Sequence, residues 1–327
     1  MKPEVLRERI KGVVNIMPTP FTADGTVNVE GLKQNAEFLV NAFQNRKASI
    51  VTCGSTSEFY AMNDEENKVV ARTVVDAVKG RVPVIVGTAR AGTEPTIEMS
   101  RYAESIGADG IMVVSPYYHM PSREGIVKHF TRVAESVGIG MMIYNNPTTS
   151  KMWMDVELMK RLSGVPNIIA SKENTIDMGQ FYGMLQSVSP DDMTVMTGLN
   201  EIYYSFLWQH GCSGFISSTV SNFAPELPLE LYEASERRDM DTVNERVRAI
   251  APFFDYMMDV SRRHGPIPTV MGPVVTPIEH PVYISIVKEA MDLVGLAGGE
   301  PRGPMEPITA TERDELANVL RKMGVLK

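Results

Sequence analysis

The stretch Val165-Pro166-Asn167-Ile168-Ile169-Ala170-Ser171-Lys172-Glu173 decides the fold. A short apolar run bounded by Pro-Asn on one side and by charges on the other reads as a buried strand over residues 167–172. A lysine closing such a strand is costly unless it is paired, neutral or chemically used. Upstream, residues 140–144 read as another strand and 155–162 as the helix between the two. Downstream, 176–188 reads as a helix and 193–197 as the next strand.

Working outward, the same alternation fills most of the chain. Strands are expected at 12–17, 49–53, 83–87, 110–114 and 214–217 in addition to the three above. Helices are expected at 29–42, 64–79, 93–106, 123–137, 201–210 and 225–237 as well. Eight strand–helix units, with short and nearly continuous apolar strands, predict a parallel sheet covered on both faces. The predicted fold is therefore α/β, a (β/α)8 TIM barrel. Thr93 ahead of Pro95, Ser122 and Asn63 read as helix starts. Gly107, Gly164 and Gly211 read as left-handed helix ends. After the eighth unit the pattern changes to helices at 239–260, 283–293 and 311–323. The expected organisation is a barrel over 1–237 carrying the active site, then a C-terminal helical extension over 238–327. Five prolines in residues 265–281 predict a connection rather than strands.

The bulk composition excludes several functions. The 327 residues are 43% apolar and 22% charged, an ordinary balance for a packed core. The net charge of −8 and the absence of a basic stripe argue against nucleic acid and anionic membrane surfaces as partners. No apolar run is long enough for a membrane span, and the N-terminus lacks a signal-peptide core. Two cysteines, Cys53 and Cys212, form no disulfide framework, so a cytoplasmic setting is expected. The 22 methionines read as core filler. The five histidines form neither HxH nor HExxH, so no metal is expected.

Functional groups of such barrels lie at the C-terminal strand ends. There the chain carries Ser55-Thr56, Pro116-Tyr117-Tyr118, Tyr144-Asn145-Asn146-Pro147, Lys172-Glu173, Gly198-Leu199-Asn200-Glu201 and Ile216-Ser217-Ser218-Thr219. Side chains alternate along strands, so Ile168, Ala170 and Lys172 share one face, as do Gly140, Met142 and Tyr144. If those faces point inward, an amine and a phenol meet over the barrel axis. An amine of lowered pKa can attack a 2-keto carbonyl and form a Schiff base, and a phenol can move the proton. Ser55, Thr56 and the backbone N–H groups of a Gly-containing turn can hold a carboxylate.

These motifs resemble those of the dihydrodipicolinate synthase/N-acetylneuraminate lyase family of pyruvate-type class I aldolases. The resemblance runs from Thr19-Pro20-Phe21 to the final helix. The family's Gly-Ser-Thr-Gly-Glu appears as Gly54-Ser55-Thr56-Ser57-Glu58. Its Tyr-Asn-x-Pro is Tyr144–Pro147, its Lys-Glu is Lys172-Glu173, and its Gly-x-Ile-Ser is Gly214–Ser217. The resemblance implies a Schiff base on Lys172, Tyr144 as general acid/base, Ser55 and Thr56 on the carboxylate and in proton relay, and Ile216 lining the keto-acid pocket. It implies that Tyr118 is lent across a subunit interface of a homotetramer, and that no cofactor is needed.

Three departures shape the expected substrate. Ser57 replaces a glycine and is strained if that position needs positive φ. Thr149 stands where the synthases carry an arginine for the second substrate's carboxylate, with Lys151 a candidate to compensate. Asn200 replaces the acid of a Gly-Phe-Asp-Glu motif that binds sugar hydroxyls in the lyase branch. Asn200, Glu201 and Ser218 are accordingly expected to contact the substrate. The expected function is an N-acetylneuraminate-lyase-like or sugar-acid aldolase that cleaves or condenses a 2-keto acid with pyruvate. The alternatives are a dihydrodipicolinate-synthase-type condensation or a 2-keto-3-deoxy sugar acid dehydratase, and lastly a non-enzymatic keto-acid-binding barrel.

Overall fold

The computed structural model describes residues 1–265 and 282–327 with their side chains, and the backbone of 267–271 and 274–278. Eight parallel strands close into a barrel in sequence order, with the eighth returning to the first. They are β1 Gly12–Ile16, β2 Ala48–Thr52, β3 Val84–Gly87, β4 Gly110–Val114, β5 Gly140–Asn145, β6 Ile168–Glu173, β7 Thr194–Thr197 and β8 Gly214–Ser217. Every residue of these strands is buried, as a sheet covered on both faces requires.

The helices in chain order are α1 Pro3–Arg9, α2 Val29–Phe43, α3 Asp64–Val78, α4 Thr93–Ser105, α5 Arg123–Glu135, α6 Pro147–Ser150, α7 Val156–Ser163 and α8 Met178–Ser187. Then come α9 Glu201–Leu207, α10 Glu226–Glu236, α11 Met240–His264, α12 Tyr283–Leu293 and α13 Ala310–Lys322. The outer helices bury one stripe each. In α2 it is Leu32, Ala36, Leu39, Val40 and Phe43, spaced to face the barrel along one side of a 3.6-residue repeat.

Local chemistry sets the helix ends. Asn63 forms a reciprocal capping box with Glu66, and Ser122 accepts from the Gly125 N–H. Thr93 is not a cap: Gly92 is the N-cap of α4, and the Thr93 hydroxyl instead bonds His129 Nδ1 at 2.9 Å. Gly107 and Gly211 take positive φ, but Gly164 ends α7 in the right-handed region at φ −76°, where any residue fits.

Besides the single-turn α6, two elements were not expected from the sequence. Helix α1 packs on β5 and β6. Its buried Leu6 reaches so close to Gly110 and Gly140 that a Cβ on Gly110 would lie 2.5 Å from Leu6 Cδ2, and one on Gly140 3.3 Å. The proline-rich segment is the other, and here the reading as a mere connection is corrected. Strands β9 Ile267–Met271 and β10 Val274–Ile278 pair antiparallel, with Pro268 opposite Pro277. A two-stranded ribbon leaves one edge of each strand unpaired, so a proline costs no ladder bond there. The β-branched residues around them then favour the extended state.

The C-terminal helices pack back onto the barrel. Helix α11 lies against α9, α10, α12 and α13. From α12 the Lys288 amine reaches Glu58 Oε1 at 2.7 Å, with both side chains fully buried. Lys288 also donates to the carbonyls of Thr19 and Glu300.

Candidate active site

The strand register brings the two reactive groups together. Tyr144 on β5 is the direct partner of Lys172 on β6, so both point to the same face of the sheet. Lys172 Nζ lies 3.6 Å from the centroid of the Tyr144 ring. Lys172 is only 3% exposed. Burial disfavours its charged form and brings its pKa from 10.5 down to about 7.

Tyr144 is buried as well. Burial raises its pKa, the neighbouring Tyr283 adds to the rise, and contacts with Asn146 and Ser55 oppose it. Asn146 Nδ2 donates to the Tyr144 phenolic oxygen at 2.8 Å and to Thr149 Oγ1 at 2.9 Å. The next residues outward from the axis support this pair. Asn145 Nδ2 donates to Glu173 Oε2 at 2.8 Å and to the Met154 carbonyl at 2.9 Å. Burial holds the Glu173 carboxyl up near 7, against contacts with Ser171 and Asn145.

Room for the lysine is made by Gly198 at the end of β7. A Cβ there would sit 2.9 Å from Lys172 Cγ and Cε and 2.0 Å from Asn174 Oδ1. Only a residue without a side chain lets that backbone approach so closely.

The loop 54–58 after β2 supplies hydroxyls. Ser55 faces the Tyr144 phenol, and Thr56 lies beside the phenol of Tyr283. Ser57 is not strained, contrary to the conditional expectation: the residues with positive φ in this stretch are Cys53 and Glu58. The Ser57 hydroxyl instead laces the loop, accepting from the Gly54 N–H at 3.1 Å and donating to the Met17 carbonyl at 2.6 Å.

These groups open into one cavity of about 860 Å³. Of the residues expected from sequence, Ser55, Thr56, Tyr144, Thr149, Lys172, Asn200, Ile216 and Ser218 all line it. Asn200 spends its side-chain oxygen on the cap of α9, accepting from the N–H groups of Ile202 and Tyr203. Glu201 does not reach the cavity. It is fully buried against Ser217, where burial lifts its carboxyl to about 7. Its place at the first turn of α9 directs it behind β8 rather than over the barrel mouth. Tyr118 does not line the cavity of its own chain either. It is 72% exposed and edge-on to His119, while Tyr117 takes the inward place. Lys151 ends α6 in the left-handed region and lies outside the cavity lining. Asn146, Gly198 and Tyr283 were missed. Asn146 and Gly198 lie in strand-end segments that the sequence already singled out. Tyr283 comes from α12 and carried no sequence signal. Among the described residues no three His, Cys, Asp or Glu side chains cluster as a metal site.

A closed (β/α)8 barrel with a buried lysine and a tyrosine paired at the C-terminal strand ends defines a barrel aldolase scaffold of the lysine-dependent kind. The chain belongs to the dihydrodipicolinate synthetase family, whose model matches residues 9–323, and it is a class I, lysine Schiff-base carbon–carbon lyase. It is 32% identical to the 4-hydroxy-tetrahydrodipicolinate synthase of Methanopyrus kandleri over 97% of this chain and 98% of that one. The enzyme of the same name from Methanococcus vannielii is 31% identical over 97% of this chain and all of its own. Among solved structures, a dihydrodipicolinate synthase from Aquifex aeolicus superposes with a TM-score of 0.82 at 28% identity, covering 96% of this chain and 98% of that one. A prophage protein of the dihydrodipicolinic acid synthase family from E. coli K12, solved in complex with pyruvate, gives 0.83 at 27%, covering 96% and 99%. No described helix is long and apolar enough to cross a membrane.

Proposed function

We propose that this enzyme condenses pyruvate, held as an imine on Lys172, with an aldehyde, in the manner of the dihydrodipicolinate synthases. The observation that carries this reading is the Lys172 amine, buried at the end of β6 against the Tyr144 ring and lowered toward neutrality. About half of such an amine is unprotonated and nucleophilic near pH 7. The relatives bear the synthase name, which favours condensation over the neuraminate-lyase-like reading.

The steps follow from the neighbours. The amine attacks C2 of pyruvate, and loss of water gives the imine. Ser55 and Thr56 hold the carboxylate, with the backbone of Ile216 beside it. Removal of a C3 proton gives the enamine, whose C3 bonds the aldehyde carbon while the aldehyde oxygen takes up a proton. Water then hydrolyses the imine and frees the lysine. Tyr144 carries these protons, with Ser55 beside its phenol and Thr56 beside that of Tyr283. The reading includes a cytoplasmic setting, supported by two free buried cysteines. It also includes a homotetramer in which the exposed Tyr118 meets a neighbouring copy.

The test is borohydride reduction in the presence of pyruvate, read by peptide mass. The expected result is one reduced pyruvyl adduct, on Lys172. A folded protein with no adduct at saturating pyruvate, or with its adduct on another lysine, sinks the proposal.

A further inference from the structure

We infer that the aldehyde carries a neutral, largely apolar tail, aromatic or aliphatic, and that the far end of the cavity is built against an anionic one. This rests on the pyruvate-imine reading above and adds the identity of the second substrate's tail. A cavity of about 860 Å³ is far larger than pyruvate needs. It lies toward the upper end of the ~300–1,000 Å³ usual for small-molecule sites.

Among the described residues, several large apolar side chains line that cavity. Strand ends six and seven contribute Ile176 and Leu199, the segment between α12 and α13 contributes Met305, and α11 contributes Phe254, Met257 and Met258. The last three are spaced i, i+3, i+4, so one stripe of α11 faces the cavity. Methionine side chains are flexible and polarisable, and they adapt well to aromatic or branched ligands.

The polar groups at this end suit a neutral ligand. Among the described residues, Lys172 is the one cation lining the cavity, and it is committed to pyruvate. No arginine or histidine lines the cavity among the described residues, and Thr149 offers only a hydroxyl, which accepts from Asn146. A carboxylate taken into such surroundings loses its water without gaining a cationic partner.

The experiment uses the full-length wild-type protein at saturating pyruvate. It measures kcat/KM by pyruvate consumption with butanal, benzaldehyde, succinic semialdehyde, aspartate semialdehyde and glyceraldehyde. Borohydride trapping on Lys172 is run on the same preparation. The expected result is a preference of ~10-fold or more for the neutral apolar aldehydes. Thr149→Arg should shift the ratio toward the two carboxylate-bearing aldehydes, succinic and aspartate semialdehyde. A missing Lys172 adduct overturns the pyruvate reading itself. An intact adduct overturns the present inference if the carboxylate-bearing aldehydes or glyceraldehyde react as well or better. It also does so if none of the five reacts.

Discussion

Burial makes Lys172 titrate far below a free lysine. Its folded pKa of about 7 against 10.5 for the free side chain is a difference of about 3.5 units, or on the order of 5 kcal/mol. Between pH 7 and 10.5 the unfolded chain binds a proton that the folded chain does not. This group's cost to stability is therefore largest below pH 7, and stability recovers by about 1.4 kcal/mol per unit as pH rises through that window. Glu173 and Glu201, both held up near 7, act in the opposite sense and over a different range, from about 4.5 to 7. The catalytic counterpart is a rate of pyruvate-imine formation that climbs about tenfold from pH 6 to 8 and then levels off. Rapid-quench borohydride trapping at subsaturating pyruvate measures it. Lys172→Met should remove the alkaline stability gain, raise urea resistance at neutral pH and abolish trapping. A rate that keeps climbing beyond pH 9 refutes the reasoning, because an amine near its ordinary pKa behaves that way. A destabilised Lys172→Met protein refutes it too.

Two further outcomes are expected. Gly198→Ala places a methyl 2.9 Å from Lys172 side-chain carbons and 2.0 Å from Asn174 Oδ1. It should lower kcat/KM at least ~10-fold through displacement of the amine, while circular dichroism stays native; unchanged kinetics would show that the backbone yields. Lys288→Met leaves the Glu58 carboxylate buried beside two carbonyls that have lost their donor. It should cost ~3–5 kcal/mol in urea unfolding, with partial recovery when Glu58→Gln is added; a loss below ~1 kcal/mol would show that Glu58 finds water.

The barrel was legible because its strands are short, apolar and regularly spaced, and each pair of strand ends is fixed by a period of two. That is why Tyr144 and Lys172 could be placed on one face before their register was seen. Legibility fails where packing rather than pattern decides. Pro268 and Pro277 counted against strands, yet they face each other in a ribbon that tolerates them. Met257 and Met258 looked like core filler, because the helical stripe of a core and that of a cavity wall have the same spacing. Glu201 follows a residue that does line the cavity, but one step along a helix turns a side chain by about 100°. Asn146 and Gly198 stood in view as strand-end residues. Their roles depend on distances to Tyr144 and Lys172 that no spacing rule supplies.

Tyr283 and Lys288 change what the C-terminal helices are for. Both lie on α12, and both meet the loop 54–58: Tyr283 at Thr56 and Lys288 at Glu58. Glu58 Oε2 also accepts from the Arg302 N–H at 2.7 Å, while the Arg302 guanidinium holds Glu66 at the start of α3. The hydroxyl loop is thus fastened from both sides by residues beyond the eighth strand–helix unit. A buried ion pair of this kind is weak evidence for stability by itself, since desolvation offsets most of its attraction. Its geometry matters more: Glu58 sits two residues from Thr56, so α12 cannot shift without moving a group that lines the cavity. The C-terminal segment is in that sense a wall of the active site. Changes to it that spare every strand-end residue should still register in kcat as well as in stability.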